Sequence, residues 1–228
     1  MSDSPTPACG RPRRFDLIVF DWDGTLYDST AVIVQSIQAA CADIGEAVPD
    51  DEAASWVIGL GLRAAMEHAV PGLAAERYPL MIERYRHHYL LHQHDLTLFP
   101  GVLDMLHALR KRHHWLAVAT GKSRAGLDDA LHAVELRGVF DGTRTADETR
   151  SKPDPQMLLE LMRQFGVEPG RTLMIGDTIH DLQLAANAGT PSVAVTYGAH
   201  QASEFAAHSP LVVARTVAEL AEWLAQHA

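Results

Sequence analysis

Four short apolar runs, each followed by a polar or acidic residue, restrict the fold of this chain more than any other feature. The runs cover residues 15–20, 115–119, 172–175 and 192–196. Each is too short for a typical helix and is rich in branched or aromatic side chains, so each is predicted to be a strand buried on both faces. Strands of this kind are typical of a parallel sheet that carries helices on both sides.

Helical patterns separate the four runs. Apolar residues recur at helical spacing in residues 101–112, 155–165, 181–188 and 216–226. Strands that alternate with helices predict βαβ units, and therefore an α/β fold with a Rossmann-like parallel sheet and helices on both faces. Weaker signals near residues 139–140 and 211–213 predict two further short strands.

One long stretch, residues 28–99, breaks this alternation. Helical patterns without a convincing strand cover residues 28–44, 51–57, 63–70 and 73–92. A structureless loop of this length is uncommon in a compact domain. We therefore expect an inserted helical cap at 28–99, a core formed by 15–27 and 100–228, and a mobile tail at 1–14.

The composition is that of an ordinary globular protein, and its charge argues against several functions. The 228 residues include 19 basic and 29 acidic side chains, which gives a formal charge of −10. A chain this acidic is a poor match for the phosphate backbone of nucleic acids or for an anionic membrane surface. Cys9 and Cys41 do not form a CxxC pair, and no signal peptide or long apolar run is evident, so we expect a cytoplasmic protein in a reducing compartment.

Reactive side chains follow several of the predicted strands. In open parallel sheets ligands bind at the carboxyl ends of the strands, so these side chains are expected to meet at one rim. They are Asp21, Asp23, Thr120, Lys152, Asp177 and Asp181. Taken singly, each has an ordinary explanation as a turn residue, a helix cap or a solvated lysine. Their joint placement favours a functional site, because random placement would put some of them at the opposite rim.

Four aspartates at one rim would repel each other. Two carboxylates about 4 Å apart repel by about 4 kcal/mol at an effective dielectric constant of about 20. A divalent cation removes the conflict, and an all-oxygen ligand set suits Mg²⁺, which usually binds one or two carboxylates together with a phosphate oxygen. The cluster therefore predicts Mg²⁺ and a phosphorylated substrate.

Four short motifs carry a resemblance to a known family. They are DWDGTLYDS at 21–29, ATGKS at 119–123, SKPDP at 151–155 and GDTIHD at 176–181. In this order and at these distances they resemble the haloacid dehalogenase-like superfamily, in its phosphatase branch with a helical cap, and most of all the phosphoglycolate-phosphatase-like members. The resemblance extends over nearly everything from Phe15 to Ala228.

The resemblance implies roles for the four aspartates. Asp21 is expected to be the nucleophile that forms an aspartyl-phosphate, and Asp23 the general acid and then the general base. Mg²⁺ is expected to be bound by Asp21, Asp177 and the backbone carbonyl of Asp23. Asp181 is expected to be either a ligand or a partner of the ligands. Because dehalogenases of this superfamily lack a carboxylate at the position of Asp23, its presence favours phosphoryl transfer.

The same resemblance implies a set of contacts to the phosphoryl group. The residues expected to make them are Gly24, Thr25, Thr120, Gly121 and Lys152. The run from Gly59 to Arg63 resembles the cap loop that family members direct at the substrate, and it equally fits a glycine turn between two helices. We hypothesise that Arg63 or Lys122 binds a second anionic group of the substrate.

The function expected from these residues is Mg²⁺-dependent hydrolysis of a small phosphomonoester, similar to phosphoglycolate. The expected partner is a small phosphorylated metabolite, and the chain is expected to be a monomer or a homodimer. One alternative is a phosphomutase that uses the same pair of aspartates on a sugar phosphate. A less favoured alternative is a binding protein without catalytic activity.

Thirteen histidines are interpreted as mainly structural or solvated. His87, His88, His92 and His94 are interpreted as a polar helix face rather than a metal site. The pair at 113–114 is predicted to be solvated at a helix end. No catalytic role is assigned to His180.

Overall fold

A parallel sheet of six strands lies at the centre of the structure, a computed structural model that describes residues 13–228. The strands run in the order β3-β2-β1-β4-β5-β6, and every neighbouring pair is parallel. They are β1 (Leu17–Phe20), β2 (Trp115–Thr120), β3 (Gly142–Thr145), β4 (Thr172–Gly176), β5 (Ser192–Val195) and β6 (Val213–Ala214). The predicted α/β class with a Rossmann-like sheet is confirmed.

Ten α-helices accompany the sheet. They are α1 (Thr30–Asp43), α2 (Asp51–Trp56), α3 (Leu62–Ala69), α4 (Tyr78–His92), α5 (Val102–Lys111), α6 (Arg124–Ala133), α7 (Gln156–Phe165), α8 (Ile179–Ala188), α9 (Ala202–Phe205) and α10 (Val217–His227). This count refers to residues 13–228. Within the same residues, no helix combines the length and the apolar composition needed to cross a bilayer.

The central strand β1 shows why the sheet is covered on both faces. All four of its side chains are buried, and they alternate between two apolar clusters. Ile18 and Phe20 pack in the cluster that contains α5, α6 and α10. Leu17 and Val19 pack in the cluster that contains α7 and α8. Successive side chains of a strand point to opposite faces, so an all-apolar strand requires helices on both.

The strand order determines where a site can form. The next strand in the chain, β2, pairs with one side of β1, and β4 pairs with the other side. Such a reversal opens a crevice at the carboxyl ends of the two adjacent strands, where ligands bind in folds of this type. The end of β1 continues into this crevice, because the N–H of Asp21 donates to the carbonyl of Ile175, 2.9 Å away.

The segment 28–99, all of which is described, contributes helices α1–α4 and no strand to the sheet. Its apolar side chains, among them Ile37, Met66 and Met81, form a cluster separate from the two beside the sheet. The free Cys41 is buried in this cluster. The exact division into core and cap remains a prediction.

Three elements differ from the sequence-based prediction: β3, α6 and the four-residue helix α9, which was not predicted. The strand expected near 139–140 lies at β3, where the sequence Gly-Thr-Arg-Thr has no apolar run because this strand is at the edge of the sheet. Helix α6 was not predicted; glycine and two aspartates weaken its signal, although Ser123 caps it by accepting from the N–H of Gly126.

The histidine pair at 113–114 also differs from its prediction. His114 is buried rather than solvated, and its Nδ1 lies 2.9 Å from the carbonyl of Phe15, to which it donates. Burial lowers the pKa of His114 to about 4. The predicted tail at 1–14 lies outside the described residues except for Arg13 and Arg14. Arg13 donates to the carbonyl of Arg112.

Candidate active site

Asp21 lies in the crevice at the end of β1 and is fully buried. The ammonium of Lys152 lies 2.7 Å from Oδ1 of Asp21 and 2.7 Å from Oδ1 of Asp181. Its well-aligned hydrogen bond goes to Asp181. Within the described part of the chain, Oδ2 of Asp21 has no hydrogen-bond partner. A buried carboxylate oxygen in this situation is free to accept a ligand.

The loop after β4 brings Asp177 against the loop after β1. Asp177 accepts a hydrogen bond from the hydroxyl of Thr25 at 2.7 Å and another from the N–H of Ala199 at 2.8 Å. A β-carbon built on Gly24 would lie 2.1 Å from Oδ2 of Asp177, and one built on Gly198 would lie 2.2 Å from the same atom. Only glycine fits at either position, so backbone closely surrounds this carboxylate.

Asp181 lies in the first turn of α8 and is also fully buried. Its Oδ2 accepts from the hydroxyl of Thr178 at 2.7 Å and from the N–H of Thr178 at 3.1 Å. Its Oδ1 accepts from Lys152. Oδ1 is therefore paired with a cationic side chain and Oδ2 accepts two hydrogen bonds, whereas each oxygen of Asp177 accepts one hydrogen bond from a neutral group. This difference favours a role for Asp181 in holding Lys152 and the start of α8 over direct ligation.

This cluster places three buried carboxylates, Asp21, Asp177 and Asp181, beside one cationic side chain, Lys152. Burial, together with the neighbouring carboxylates, raises the pKa of Asp21 well above its ordinary value, although Lys152 opposes the shift. Burial and Asp181 raise the pKa of Asp177 to about 7. Burial alone would lower the pKa of Lys152, but Asp181 and Asp21 raise it above its ordinary value. Lys152 is therefore charged, and its single charge does not balance three carboxylates.

The three carboxylates fit a divalent cation. Asp21, Asp177 and Asp181 each offer an oxygen, and these oxygens lie within 4.8 Å of one another. Hard all-oxygen donor sets of this kind suit Mg²⁺ or Ca²⁺ rather than the softer transition metals. The unpartnered Oδ2 of Asp21 and the uncompensated negative charge are the observations that favour a cation here.

Asp23 lies on the other side of Asp21 and has different surroundings. Its Oδ1 accepts from the hydroxyl of Ser29 at 2.6 Å and lies 3.1 Å from the ammonium of Lys122. The same ammonium donates to the hydroxyl of Tyr89 in α4 at 2.9 Å. Burial opposes the charge of Lys122, but Asp23 raises its pKa above the ordinary value. Lys122 is therefore charged, and its charge is paired with Asp23.

Thr120 and Gly121 follow β2 at the same rim. Thr120 is buried, and its hydroxyl accepts from the N–H of Lys122 at 3.1 Å. A β-carbon built on Gly121 would lie 2.3 Å from the carbonyl oxygen of Leu60 and 2.6 Å from that of Gly59. The segment between α2 and α3 therefore presses directly on this loop.

The same segment, residues 57–61, covers the crevice. A β-carbon built on Gly59 would lie only 3.6 Å from Oδ2 of Asp21. The N–H of Gly61 donates to the hydroxyl of Ser151 at 2.7 Å. Residues 28–99 are thus closed over the rim in this structure, and residues 57–61 restrict access to Asp21.

A family model for haloacid dehalogenase-like hydrolases matches residues 18–195. The chain belongs to that family. The match includes β2–β5, all of β1 except Leu17, and every rim residue that the sequence singled out.

Two curated relatives of this hydrolase are bacterial proteins that it matches over most of their length. The "Probable phosphatase IndB" of Dickeya dadantii is 35% identical over 90% of this chain and 91% of its own. A phosphoglycolate phosphatase of Pseudomonas putida is 30% identical over 86% of this chain and 75% of its own. A crystal structure from Haemophilus somnus, described as a predicted phosphoglycolate phosphatase, has a TM-score of 0.82 at 25% identity and covers 93% of this chain and 99% of that one.

The structure brings together most of the residues that the sequence singled out in this hydrolase. Arg63 is the exception, because it is half-exposed, pairs with Glu67 and lies with its guanidinium 4.4 Å from the centre of the Tyr78 ring. Its ion-pair partner Glu67 and its stacking partner Tyr78 both belong to residues 28–99. The hypothesis that Arg63 or Lys122 binds a second anionic group remains a prediction.

Sequence reasoning missed four residues that shape the site: Ser29, Tyr89, His180 and His200. The Nε2 atoms of the two histidines lie 2.8 Å and 3.1 Å from one acceptor, the carbonyl of Trp56 at the end of α2. This carbonyl immediately precedes residues 57–61. Ser29 lies inside the quoted DWDGTLYDS motif, so the motif itself held a signal for it. Nothing in the sequence indicated that Tyr89 or His200 would reach the rim.

Proposed function

We propose that the chain is a Mg²⁺-dependent phosphatase that hydrolyses small phosphomonoesters through a phosphorylated Asp21. The observation that carries the proposal is the buried carboxylate of Asp21, with one oxygen beside Lys152 and the other without a hydrogen-bond partner in residues 13–228. A buried, ionised carboxylate of this kind is a nucleophile. The curated relatives named as phosphatases support the same reaction class.

The residues that would hold Mg²⁺ are Asp21, Asp177 and the backbone carbonyl of Asp23. Asp181, whose two oxygens are already bonded, would hold Lys152 in place. When bound, the cation supplies positive charge that keeps Asp21 ionised and offsets the charge of the phosphoryl oxygens. This would also relieve the repulsion that raises the pKa of Asp177.

Asp21 and Asp23 have different roles in the proposed reaction. Asp21 attacks phosphorus, the bond from phosphorus to the ester oxygen breaks, and Asp23 gives its proton to the departing alcohol. Asp23 then takes a proton from water, whose oxygen attacks the aspartyl-phosphate, and Asp21 and phosphate are released. Their surroundings suit this division, since Asp21 lies among carboxylates and Lys152 whereas Asp23 lies against Ser29 and Lys122.

The remaining rim residues bind and orient the phosphoryl group in this proposal. Lys152 neutralises charge on Asp21 and on the phosphoryl oxygens. The Thr120 hydroxyl and the N–H of Gly121 donate to those oxygens, and Gly24 and Thr25 allow the backbone to approach them. The substrate is a small phosphorylated metabolite, and a phosphoglycolate-like ester is the proposal that the phosphoglycolate phosphatase relatives support. We further propose a cytoplasmic monomer or homodimer.

The experiment that tests the proposal is phosphate release from a panel of small phosphomonoesters, with Mg²⁺ and then with chelator. Turnover that needs Mg²⁺ and falls at least about 10³-fold in Asp21→Asn is the expected result. Asp104→Asn, on the exposed side of α5, is the matched control and should behave as the unsubstituted chain. Transfer to a second hydroxyl without free phosphate would indicate a phosphomutase. Binding without any turnover would indicate a non-catalytic protein.

A further inference from the structure

A large cavity opens beside Asp23 rather than beside Asp21. Its volume is about 1240 Å³, and it extends between the loop after β2 and the helices of 28–99. Asp23 and Lys122 lie in its wall at the rim, whereas Asp21 does not contribute to the wall. Because Asp23 is the proposed proton donor to the alcohol, this cavity is where the alcohol part of the substrate would lie.

The cavity is large for the ester of a two-carbon hydroxyacid. Pockets that hold drug-sized ligands measure about 300–1,000 Å³. A substrate as small as phosphoglycolate would place its phosphoryl group at Asp21 and leave most of the cavity unfilled. Apolar wall that stays in contact with water contributes nothing to binding, so such a substrate would gain little from closure of the cap.

The wall is mainly apolar and partly aromatic. Ile33, Ile37, Leu60 and Leu62 contribute aliphatic surface. Tyr85 and Tyr89 lie next to each other on α4 with ring centres 6.0 Å apart and planes inclined by 28°. Two neighbouring ring faces of this kind favour a flat ring of the ligand, which can stack at a similar separation.

The charge of the wall disfavours a second anionic group. Four carboxylates line the cavity, against three cationic side chains, Arg63, Arg86 and Lys122. Lys122 is already paired with Asp23 at 3.1 Å, and Arg63 with Glu67. A substrate carboxylate in the cavity would therefore find Lys122 and Arg63 already paired, and the wall has no excess of positive charge to offset its desolvation.

From the volume, the aromatic wall and the charge together, we infer that the preferred substrate is the monophosphate of an uncharged alcohol that carries an aromatic ring system. The inference rests on the proposed phosphatase function and specifies its substrate class. The ring packs on Tyr85 and Tyr89, and the phosphoryl group lies at Asp21. Phosphoglycolate, the ester that the relatives support, is then a substrate that this chain accepts less well than an ester with an aromatic ring.

The test compares three primary alkyl phosphates whose alcohols leave with similar ease: 2-phosphoglycolate, benzyl phosphate and 1-naphthylmethyl phosphate. In the presence of Mg²⁺, kcat/KM should rise in that order, by about tenfold or more from first to last, because each added ring buries apolar surface. In Tyr85→Ala the ratio of the efficiencies for naphthylmethyl phosphate and phosphoglycolate should fall about fivefold. Tyr85→Phe, which keeps the ring, should retain the ratio.

Binding is measured in parallel, so that the test does not depend on turnover or on one variant folding. Calorimetry should show that 1-naphthylmethylphosphonate binds more tightly than phosphonoacetate, with a negative heat-capacity change that marks apolar burial. Turnover of all three esters with phosphoglycolate preferred would overturn the inference and leave the phosphatase proposal intact. Tight binding of the naphthyl phosphonate without release from any ester would overturn the phosphatase proposal, but it would show that the cavity prefers an aromatic ligand. Neither binding nor release would overturn both.

Discussion

Two lysines, one buried and one partly buried, lie at the rim of the sheet, and they differ in which part of the chain completes their surroundings. Lys152 is fully buried; its partner Asp21 lies in the loop after β1, and its partner Asp181 lies in the first turn of α8, the helix that follows β4. Lys122 also lies after a strand and is paired with Asp23, but its other partner, the hydroxyl of Tyr89, belongs to α4. One cluster is complete within the sheet, and the other is complete only when residues 28–99 close over it.

This difference separates two tasks. In the proposed mechanism, the Lys152 cluster holds the nucleophile, the cation ligands and the phosphoryl group, which are needed for any phosphomonoester, and the Lys122 cluster has a different role. The Lys122 cluster holds the proton donor and lines the cavity for the alcohol, which differs from one substrate to another. In this proposal, recognition of the alcohol therefore depends on helices α1–α4, whose residues can differ without altering the surroundings of the nucleophile.

The largest effect is expected from Lys152→Met. Removing the cation leaves two buried carboxylates without their partner, and the free energy of unfolding should fall by about 3–5 kcal/mol. Phosphate release should fall by at least about 10³-fold. Denaturant unfolding and steady-state kinetics measure the two losses. Unfolding at the same denaturant concentration as the unsubstituted chain would show that this pair does not stabilise the fold.

Cation binding should depend on the Lys152 cluster alone. At a Mg²⁺ concentration about 100 times the dissociation constant, the free energy of unfolding should rise by about 2–3 kcal/mol. Asp177→Asn should abolish this rise, because it removes a proposed ligand. Asp23→Asn is the matched control; it should keep the rise, since only the backbone carbonyl of Asp23 is proposed to bind. Loss of the rise in both variants would place the cation between the two clusters.

A smaller effect is expected from Lys122→Met, and it should fall on turnover more than on stability. The change removes the ammonium that fixes the position of Asp23, and a displaced proton donor should lower kcat/KM about 10- to 100-fold. Tyr89→Phe keeps the ring and removes only the hydroxyl that accepts from Lys122, so it should cost about 1 kcal/mol of unfolding free energy. Equal losses of stability in Lys122→Met and Lys152→Met would remove the distinction between the two clusters.

The smallest effect is expected from a change at His180, which contacts the carbonyl of Trp56 just before residues 57–61. His180→Leu removes one of the two N–H donors to the carbonyl of Trp56, and kcat/KM should fall about fivefold, the factor that corresponds to one ordinary hydrogen bond. His180→Gln retains a donor and should recover most of the loss. Protease cleavage within 57–61 should be faster in the leucine variant. An unchanged cleavage rate would indicate that this contact does not hold the segment closed.

The strands and most rim residues were predictable because their signals are local. The run before Asp21 is apolar at every buried position, and such a strand needs cover on both faces. Strand β3 was displaced in the prediction because an edge strand needs few apolar side chains, and Gly-Thr-Arg-Thr has none to detect. His114 was misjudged for a related reason, since its burial depends on Phe15, a residue distant in sequence.

By itself, the sequence determined the α/β class, the rim and the set of carboxylates that meet there. These follow from periodicity and from the rule that ends of parallel strands share one edge. Only the tertiary structure decided that Lys122 pairs with Asp23 and Tyr89 and that residues 57–61 lie over Asp21. These contacts join segments whose separation along the chain carries no periodic signal, so they depend on how the inserted helices pack against the sheet.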